Sequence, residues 1–147
     1  MSNRQQRTKI NNNFSDWTDV DSGVPQGSIW GPFIFNIYVN DMFYFIEDDN
    51  VTNFADDNTP FTISDNLDEL TDKLESSSDI LVKWFEMNYF KMNIDKCKLL
   101  VANHESNVYV KIDGNVIEGD QMVKLLGIKV DNKLNFHEHV STLCKKN

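Results

Sequence analysis

The sequence predicts an α+β domain. Two stretches, Phe33–Phe45 and Leu67–Phe85, repeat apolar residues at helical spacing. Short extended segments bracket polar turns at Asp56-Asp57-Asn58 and Asp113-Gly114-Asn115. The composition, 40% hydrophobic and 12% aromatic in 147 residues, is enough for one folded core.

Taken in order, residues 6–20 read as a hairpin. Arg7–Ile10 and Trp17–Val20 flank Asn11-Asn12-Asn13, residues that tolerate unusual backbone angles. A glycine-punctuated loop follows, Gly23 to Gly31. Pro32 then suits a helix's first turn, where its missing N–H is not needed. The spacing of Phe33, Ile34, Ile37, Tyr38, Met42 and Phe45 predicts a helix over 32–48. Val51–Ala55 and Pro60–Ile63 read as strands around the acidic turn. Asn66 with Glu69 has capping-box form. Leu67, Leu70, Leu74, Leu81, Trp84 and Phe85 stripe the long helix behind it, which should end near Asn88. Lys98–Ala102 reads as a strand, and Val108–Ile112 with Val116–Glu118 as a hairpin. Val123–Val130 reads as one further strand with Asp131-Asn132-Lys133 as its turn. Phe136–Cys144 reads as a last amphipathic helix.

No run of about eighteen apolar residues is present, so no membrane span is expected. Met1–Arg7 lacks the apolar stretch of a secretion signal. An intracellular setting, nuclear or cytoplasmic, is therefore expected, with Cys97 and Cys144 as reduced thiols. The net charge of −9 opposes a generally polyanion-binding surface. Much of the acid, however, is concentrated in Asp65, Asp68, Glu69, Asp72, Glu75 and Asp79, and the cations lie elsewhere.

Two segments carry chemistry. Asp56-Asp57 on a tight hairpin offers hard oxygen donors of the kind Mg²⁺ takes, together with substrate phosphates. Adjacent strand residues face opposite ways, which makes Asp56 the direct ligand and Asp57 its support unless the turn rotates one. An ordinary polar turn has the same composition. The loop Ser22-Gly23-Val24-Pro25-Gln26-Gly27-Ser28 offers glycine backbone freedom, an amide and two hydroxyls. Taken alone, it is equally a plain connection. Other sites fit poorly. Asp19-Val20-Asp21-Ser22-Gly23 places its glycine one position early for a calcium loop. His137, His139 and Cys144 lack zinc spacing. Gln26 and Trp30 occupy the glycine positions of a hydrolase elbow around Ser28.

The segment Ser22–Pro32, with Phe35 to Asn40-Asp41 behind it, resembles the corresponding blocks of jockey-like non-LTR retrotransposon reverse transcriptases. Phe54-Ala55-Asp56-Asp57 resembles their metal-binding box, with Phe where Tyr is usual. Trp84–Lys98 resembles the block after the palm helix. Leu125-Leu126-Gly127-Ile128, with Asp131, Leu134, Phe136 and His139, resembles the primer grip and thumb entry. The boxes keep family order from Asn3 to Lys146. Trp30 replaces a usual Leu, and Cys97 stands where Thr is common.

The resemblance implies a partial palm of antiparallel strands packed on two helices over about 1–124, and a primer-grip and thumb-entry portion over about 125–147. It implies an RNA-directed DNA polymerase acting on RNA template, DNA primer and deoxynucleotide triphosphates. Asp56 and Asp57 would bind Mg²⁺, or Mn²⁺. Ser22, Gly23, Pro25, Gln26 and Gly27 would contact nucleotide and template. Lys96 would assist pyrophosphate departure, and Leu126 and Gly127 would place the primer end. Two-metal phosphoryl transfer needs carboxylates from separate places in a chain. The family's earlier aspartate and fingers have no counterpart in the 21 residues before Ser22. The expectation is a fragment that binds metal weakly or not at all and is inactive alone. Apolar surface left uncovered on the Phe33–Phe45 helix would favour self-association. The competing expectation is a non-catalytic remnant holding RNA or an RNA–DNA hybrid through the basic N-terminus and Lys91–Lys98.

Overall fold

The computed structural model describes residues 4–21, 23, 27–46, 50–104 and 107–145. The chain divides into two compact units, Met1–Asn40 and Asp41–Asn147.

The first unit is built on one interrupted antiparallel ribbon. Strand β1 (Arg4–Gln6) pairs with β4 (Thr18–Val20), and β2 (Lys9–Ile10) pairs with β3 (Asn13–Phe14). The ladder breaks at Thr8 and Ser15, where the Ser15 N–H donates to Thr8 O at 3.0 Å and the Thr8 N–H to Ser15 Oγ at 2.9 Å. The turn is Asn11-Asn12, with Asn11 left-handed at φ 55°, so the ribbon starts earlier and turns more tightly than its composition suggested. Helix α1 (Trp30–Val39) closes the unit.

The predicted helix over 32–48 is in fact two. α1 stops at Val39, and a short α2 (Met42–Phe45) begins after Asn40-Asp41. Asn40 and Asp41 keep right-handed backbone angles, so the break has no signal in the apolar spacing; residues 47 and 48 of the expected helix lie outside the described residues. The expected apolar surface is present: Phe33, Ile37, Tyr38, Phe43, Tyr44 and Phe45 are all exposed.

The second unit is organised by α3 (Leu67–Met87). The Asn66 side chain accepts from the Asp68 and Glu69 N–H groups at 2.8 and 3.2 Å, a true N-cap. The reciprocal half of the capping box is not made. The Glu69 carboxylate instead takes the Ser64 hydroxyl at 2.9 Å and Lys73 at 2.6 Å, while Ser64 Oγ accepts the Asn66 N–H. One face of α3 packs on α2, where Met42, Leu81 and Trp84 are buried. Another packs on a three-stranded sheet ordered β7 (Leu99–Leu100), β9 (Asn115–Asp120), β8 (Tyr109–Ile112). Leu67 and Leu74 meet a cluster of Leu99, Val108 and Val110 there. Buried Ser77 and Ser78 keep the helix surface low. Glu75 accepts the Lys111 N–H at 2.7 Å and so covers a donor on the edge strand β8.

Three tight hairpins complete the unit. β5 (Asn50–Phe54) pairs with β6 (Asp57–Phe61), and β6 packs on α3. β8 and β9 join through Asp113-Gly114, both at positive φ, as a type I′ turn requires. The expected single strand over 123–130 is instead a hairpin of β10 (Met122–Leu125) and β11 (Ile128–Asp131) about Leu126-Gly127, with φ of 48° and 89°. Helix α4 (His137–Cys144) follows, packed on β11. The architecture is thus α+β. The described strands form small separate sheets rather than one antiparallel sheet, and the β7–β9 pairing is parallel.

Candidate functional site

The register of β5 and β6 fixes where the acidic pair stands. Phe54 lies opposite Asp57, which leaves Ala55 and Asp56 as a two-residue turn. Ala55 is left-handed at φ 54°, whereas Asp56 has no positive φ, the order of a type II′ turn. That first place favours glycine, so an alanine there is strained by about 1–2 kcal/mol. Asn53 and Asn58 face each other beneath the tip. Asn53 Nδ2 donates to Asn58 Oδ1 at 2.8 Å and to the Ala55 carbonyl at 3.0 Å, and Asn58 Nδ2 reaches the Asp56 carbonyl at 3.4 Å. These amides hold the strained turn from the half-buried face.

Both carboxylates are exposed. Asp57 stands opposite Phe54 at the end of the ladder, and Asp56 belongs to the turn itself rather than to a strand. Two exposed carboxylates offer hard oxygen donors of the type Mg²⁺ and Mn²⁺ take, with water and phosphate filling the remaining positions. The donor chemistry therefore fits one such ion. Among the described residues no group of three His, Cys, Asp or Glu is placed to hold a metal, the His137, His139 and Cys144 set included.

Gly23 and Gly27 have φ of 78° and 79°. An added Cβ would meet nothing within 4 Å at either, so backbone conformation rather than crowding calls for glycine. Ser22, Pro25 and Gln26 lie outside the described residues. Lys96 is exposed at the end of a 3₁₀ turn, Ile94–Lys96, with its N–H bonded to Asn93 O at 3.1 Å. Leu126 and Gly127 form an exposed hairpin tip. A left-handed leucine, 54% exposed, is an unusual choice for that place.

Three features escaped sequence reasoning. Arg4 donates to the Gly23 carbonyl at 2.6 Å and ties the ribbon's first strand to the glycine loop. The two residues are nineteen apart in sequence, so no local pattern announces the contact. The Trp84 indole N–H donates to Asp41 Oδ1 at 3.2 Å and joins two of the quoted boxes. Asp131 gathers the N–H groups of Lys133, Asn135 and Phe136 at 3.0, 3.1 and 3.0 Å and so builds the entry to α4. Those bonds, that of Asn135 foremost, hold its carboxyl below the ordinary value of 3.8.

A family model described as reverse transcriptase (RNA-dependent DNA polymerase) matches residues 3–130, a span that contains the glycine loop, the acidic hairpin and the Leu126-Gly127 tip. The chain is 30% identical over 133 residues to the RNA-directed DNA polymerase from mobile element jockey of Drosophila melanogaster. It is 27% identical over 137 residues to the protein of the same description from Drosophila funebris. Each match covers 84% of this chain and 14% of the relative. A probable RNA-directed DNA polymerase from transposon BS of Drosophila melanogaster is 23% identical over 157 residues, covering 99% of this chain and 17% of its own length. The chain therefore spans 14–17% of the length of these relatives. No solved structure matches it. The family-model match over residues 3–130 and the relatives matched across most of its length place this chain in the reverse transcriptase family, among the jockey-like non-LTR members.

Proposed function

We propose that this chain is the portion of an RNA-directed DNA polymerase that carries the later carboxylate anchor of its metal site, the nucleotide loop and the primer grip. The observation that carries the reading is the placement of Asp56 and Asp57, both exposed on one braced hairpin tip. Asp56 and Asp57 would hold Mg²⁺ or Mn²⁺. The ion, when bound, neutralises phosphate charge during nucleotidyl transfer and lowers the pKa of the attacking hydroxyl. Gly23 and Gly27, with Ser22, Pro25 and Gln26, shape the contact to template and incoming deoxynucleotide triphosphate. Leu126 and Gly127 present backbone and an apolar side chain to the primer end, and Lys96 offers a cation to departing pyrophosphate. Residues up to about 124 belong to the palm in this reading, and those beyond to the thumb entry.

In the family pattern the two-metal site draws its carboxylates from separate stretches of chain. The 147 residues by themselves supply one such stretch in the family pattern. The isolated chain is therefore expected to bind metal weakly and not to extend a primer. Mn²⁺ titration followed by amide NMR tests the site. Broadening centred on residues 54–58, and lost in Asp56→Asn, supports it. Broadening confined to the acidic face of α3 would remove it. RNA-templated primer extension tests the rest: synthesis by the isolated chain, abolished in Asp56→Asn, would overturn the single-anchor reading.

A further inference from the structure

Residues 1–40 carry three cations, Arg4, Arg7 and Lys9, and three carboxylates, Asp16, Asp19 and Asp21. The whole charge of −9 therefore belongs to residues 41–147, and the ribbon of the first unit is locally neutral. On that ribbon the Arg7 guanidinium lies 4.1 Å from the Phe14 ring centroid and 4.5 Å from that of Trp17. Lys9 Nζ lies 5.4 Å from the same Phe14 ring. Arg7, Lys9, Phe14 and Trp17 are all exposed, the two rings at 51% and 57%. Neither Arg7 nor Lys9 is ion-paired among the described residues, although three carboxylates share their ribbon. Asp19 is instead occupied by Gln5 Nε2 at 2.8 Å.

The chemistry of this cluster is specific. Rings against a guanidinium use its flat faces and leave its N–H edge donors for an anion. Stacking also fixes the edge in place before a ligand arrives, which reduces the entropy lost on binding. A second cation beside the same ring suits a neighbouring anion on one strand. The exposed surface of Trp17, which meets Arg7, suits a base. A duplex hides its base faces, and an acidic peptide would leave the rings unused. We propose that the Arg7–Trp17 ribbon is a contact for single-stranded RNA, with Arg7 and Lys9 on phosphates and Trp17 stacking a base. The proposal rests on the polymerase reading only for its choice of RNA as the strand.

The test is fluorescence anisotropy of a labelled oligouridylate with the full chain, between about 50 and 200 mM salt. Binding should weaken with salt. Arg7→Gln and Lys9→Gln should each reduce the slope of log affinity against log salt by about 0.7, the single-strand value for one lost phosphate contact. Trp17→Ala should weaken binding by about 5-fold or more, as loss of one stacked base does. Lys9→Gln decides the matter if Arg7→Gln disturbs the ribbon, because Lys9 lies outside the double ring contact. An unchanged affinity and slope in Lys9→Gln and Trp17→Ala would overturn the proposal. So would equal affinity for duplex RNA, or equal competition by polyglutamate. Loss of RNA binding in Trp17→Ala with Mn²⁺ broadening at residues 54–58 retained in the same variant separates a failed RNA contact from a failed metal site.

Discussion

Trp84 supports the helix on which the acidic hairpin rests, and replacing it tests that support. Its side chain is 1% exposed. The ring stacks on Phe90 at 5.8 Å and meets Phe85 edge-on at 5.7 Å, while its N–H reaches Asp41. Trp84→Ala deletes all of this and should cost about 3–5 kcal/mol, the range for large aromatics removed from cores. A domain of this kind has about 5–15 kcal/mol in total, so about a fifth of its stability at the least, and all of it at the most, would go. Trp84→Phe keeps an aromatic ring and loses the hydrogen bond. Asp41 is exposed and water can replace the indole, so that bond should contribute about 1 kcal/mol, below the usual range for charged acceptors.

The assay is urea unfolding followed by far-UV circular dichroism, because Trp84 is itself one of the three tryptophan fluorophores. With a slope of about 1–3 kcal/mol per molar urea, Trp84→Ala should lower the midpoint by at least about 1 M. Hydrogen exchange should rise in β6 together with α3, since the two pack together. A cycle of Trp84→Phe with Asp41→Ala should show coupling of about 1 kcal/mol. A midpoint shift near zero in Trp84→Ala, or strict additivity in the cycle, would refute the account.

Three further outcomes are expected. Asp131 has a lowered folded-state pKa, so its contribution is complete above the unfolded Asp value and is lost as pH falls from there through the folded value. Asp131→Asn should therefore flatten the acid limb of the urea midpoint against pH; an unchanged limb would contradict the three-bond geometry. Burial pushes the Cys97 thiol up, while Cys144 is exposed, so a disulfide reagent at neutral pH should label Cys144 first and Cys97 more slowly, as mass spectrometry of partly labelled protein would show. Leu126→Asn should raise stability by about 1 kcal/mol in thermal melts, because asparagine tolerates the left-handed angle. In a polymerase carrying this segment, the same change should lower primer use in extension assays.

Much of the architecture was legible because local preference and tertiary packing agree there. Asn66 caps α3 as its side-chain chemistry dictates, and Asp113-Gly114 makes the turn its residues favour. The apolar stripe of α3 is also the face that packs. The acidic hairpin was legible as a hairpin but not in its register: the turn is Ala55-Asp56, against the local preference of alanine, and Asp57 and Asn58 belong to β6 rather than to the turn. What failed had no local signal. The break at Asn40-Asp41 leaves the apolar period intact. Glu69 had three polar groups within reach, and sequence spacing could not rank Ser64 and Lys73 above the capping-box partner. The turn at Leu126 was hidden because leucine belongs to strands and helices by preference, so Val123–Val130 read as one strand.

The failures are themselves informative when the left-handed residues are compared. Leu134 and Phe136, at φ 55° and 57°, flank the Asp131 bonds, which determine that segment regardless of its side chains. Tyr89, at φ 58°, follows the end of α3, where a left-handed residue is common. Asn11, Asn103 and Asp113 are residue types that accept the angle. Ala55 and Leu126 fit none of these explanations. Each occupies a hairpin tip where glycine or asparagine would cost less, and each falls in a box matched to the reverse transcriptase family. Strain of this kind persists where the surroundings over-determine it. At Ala55 the Asn53 and Asn58 amides do so. At Leu126 the described residues supply no comparable brace, and the side chain stands 54% exposed at the tip. The role proposed for Leu126 at the primer end would account for this choice, and Leu126→Asn separates the two demands: stability should rise while primer use falls.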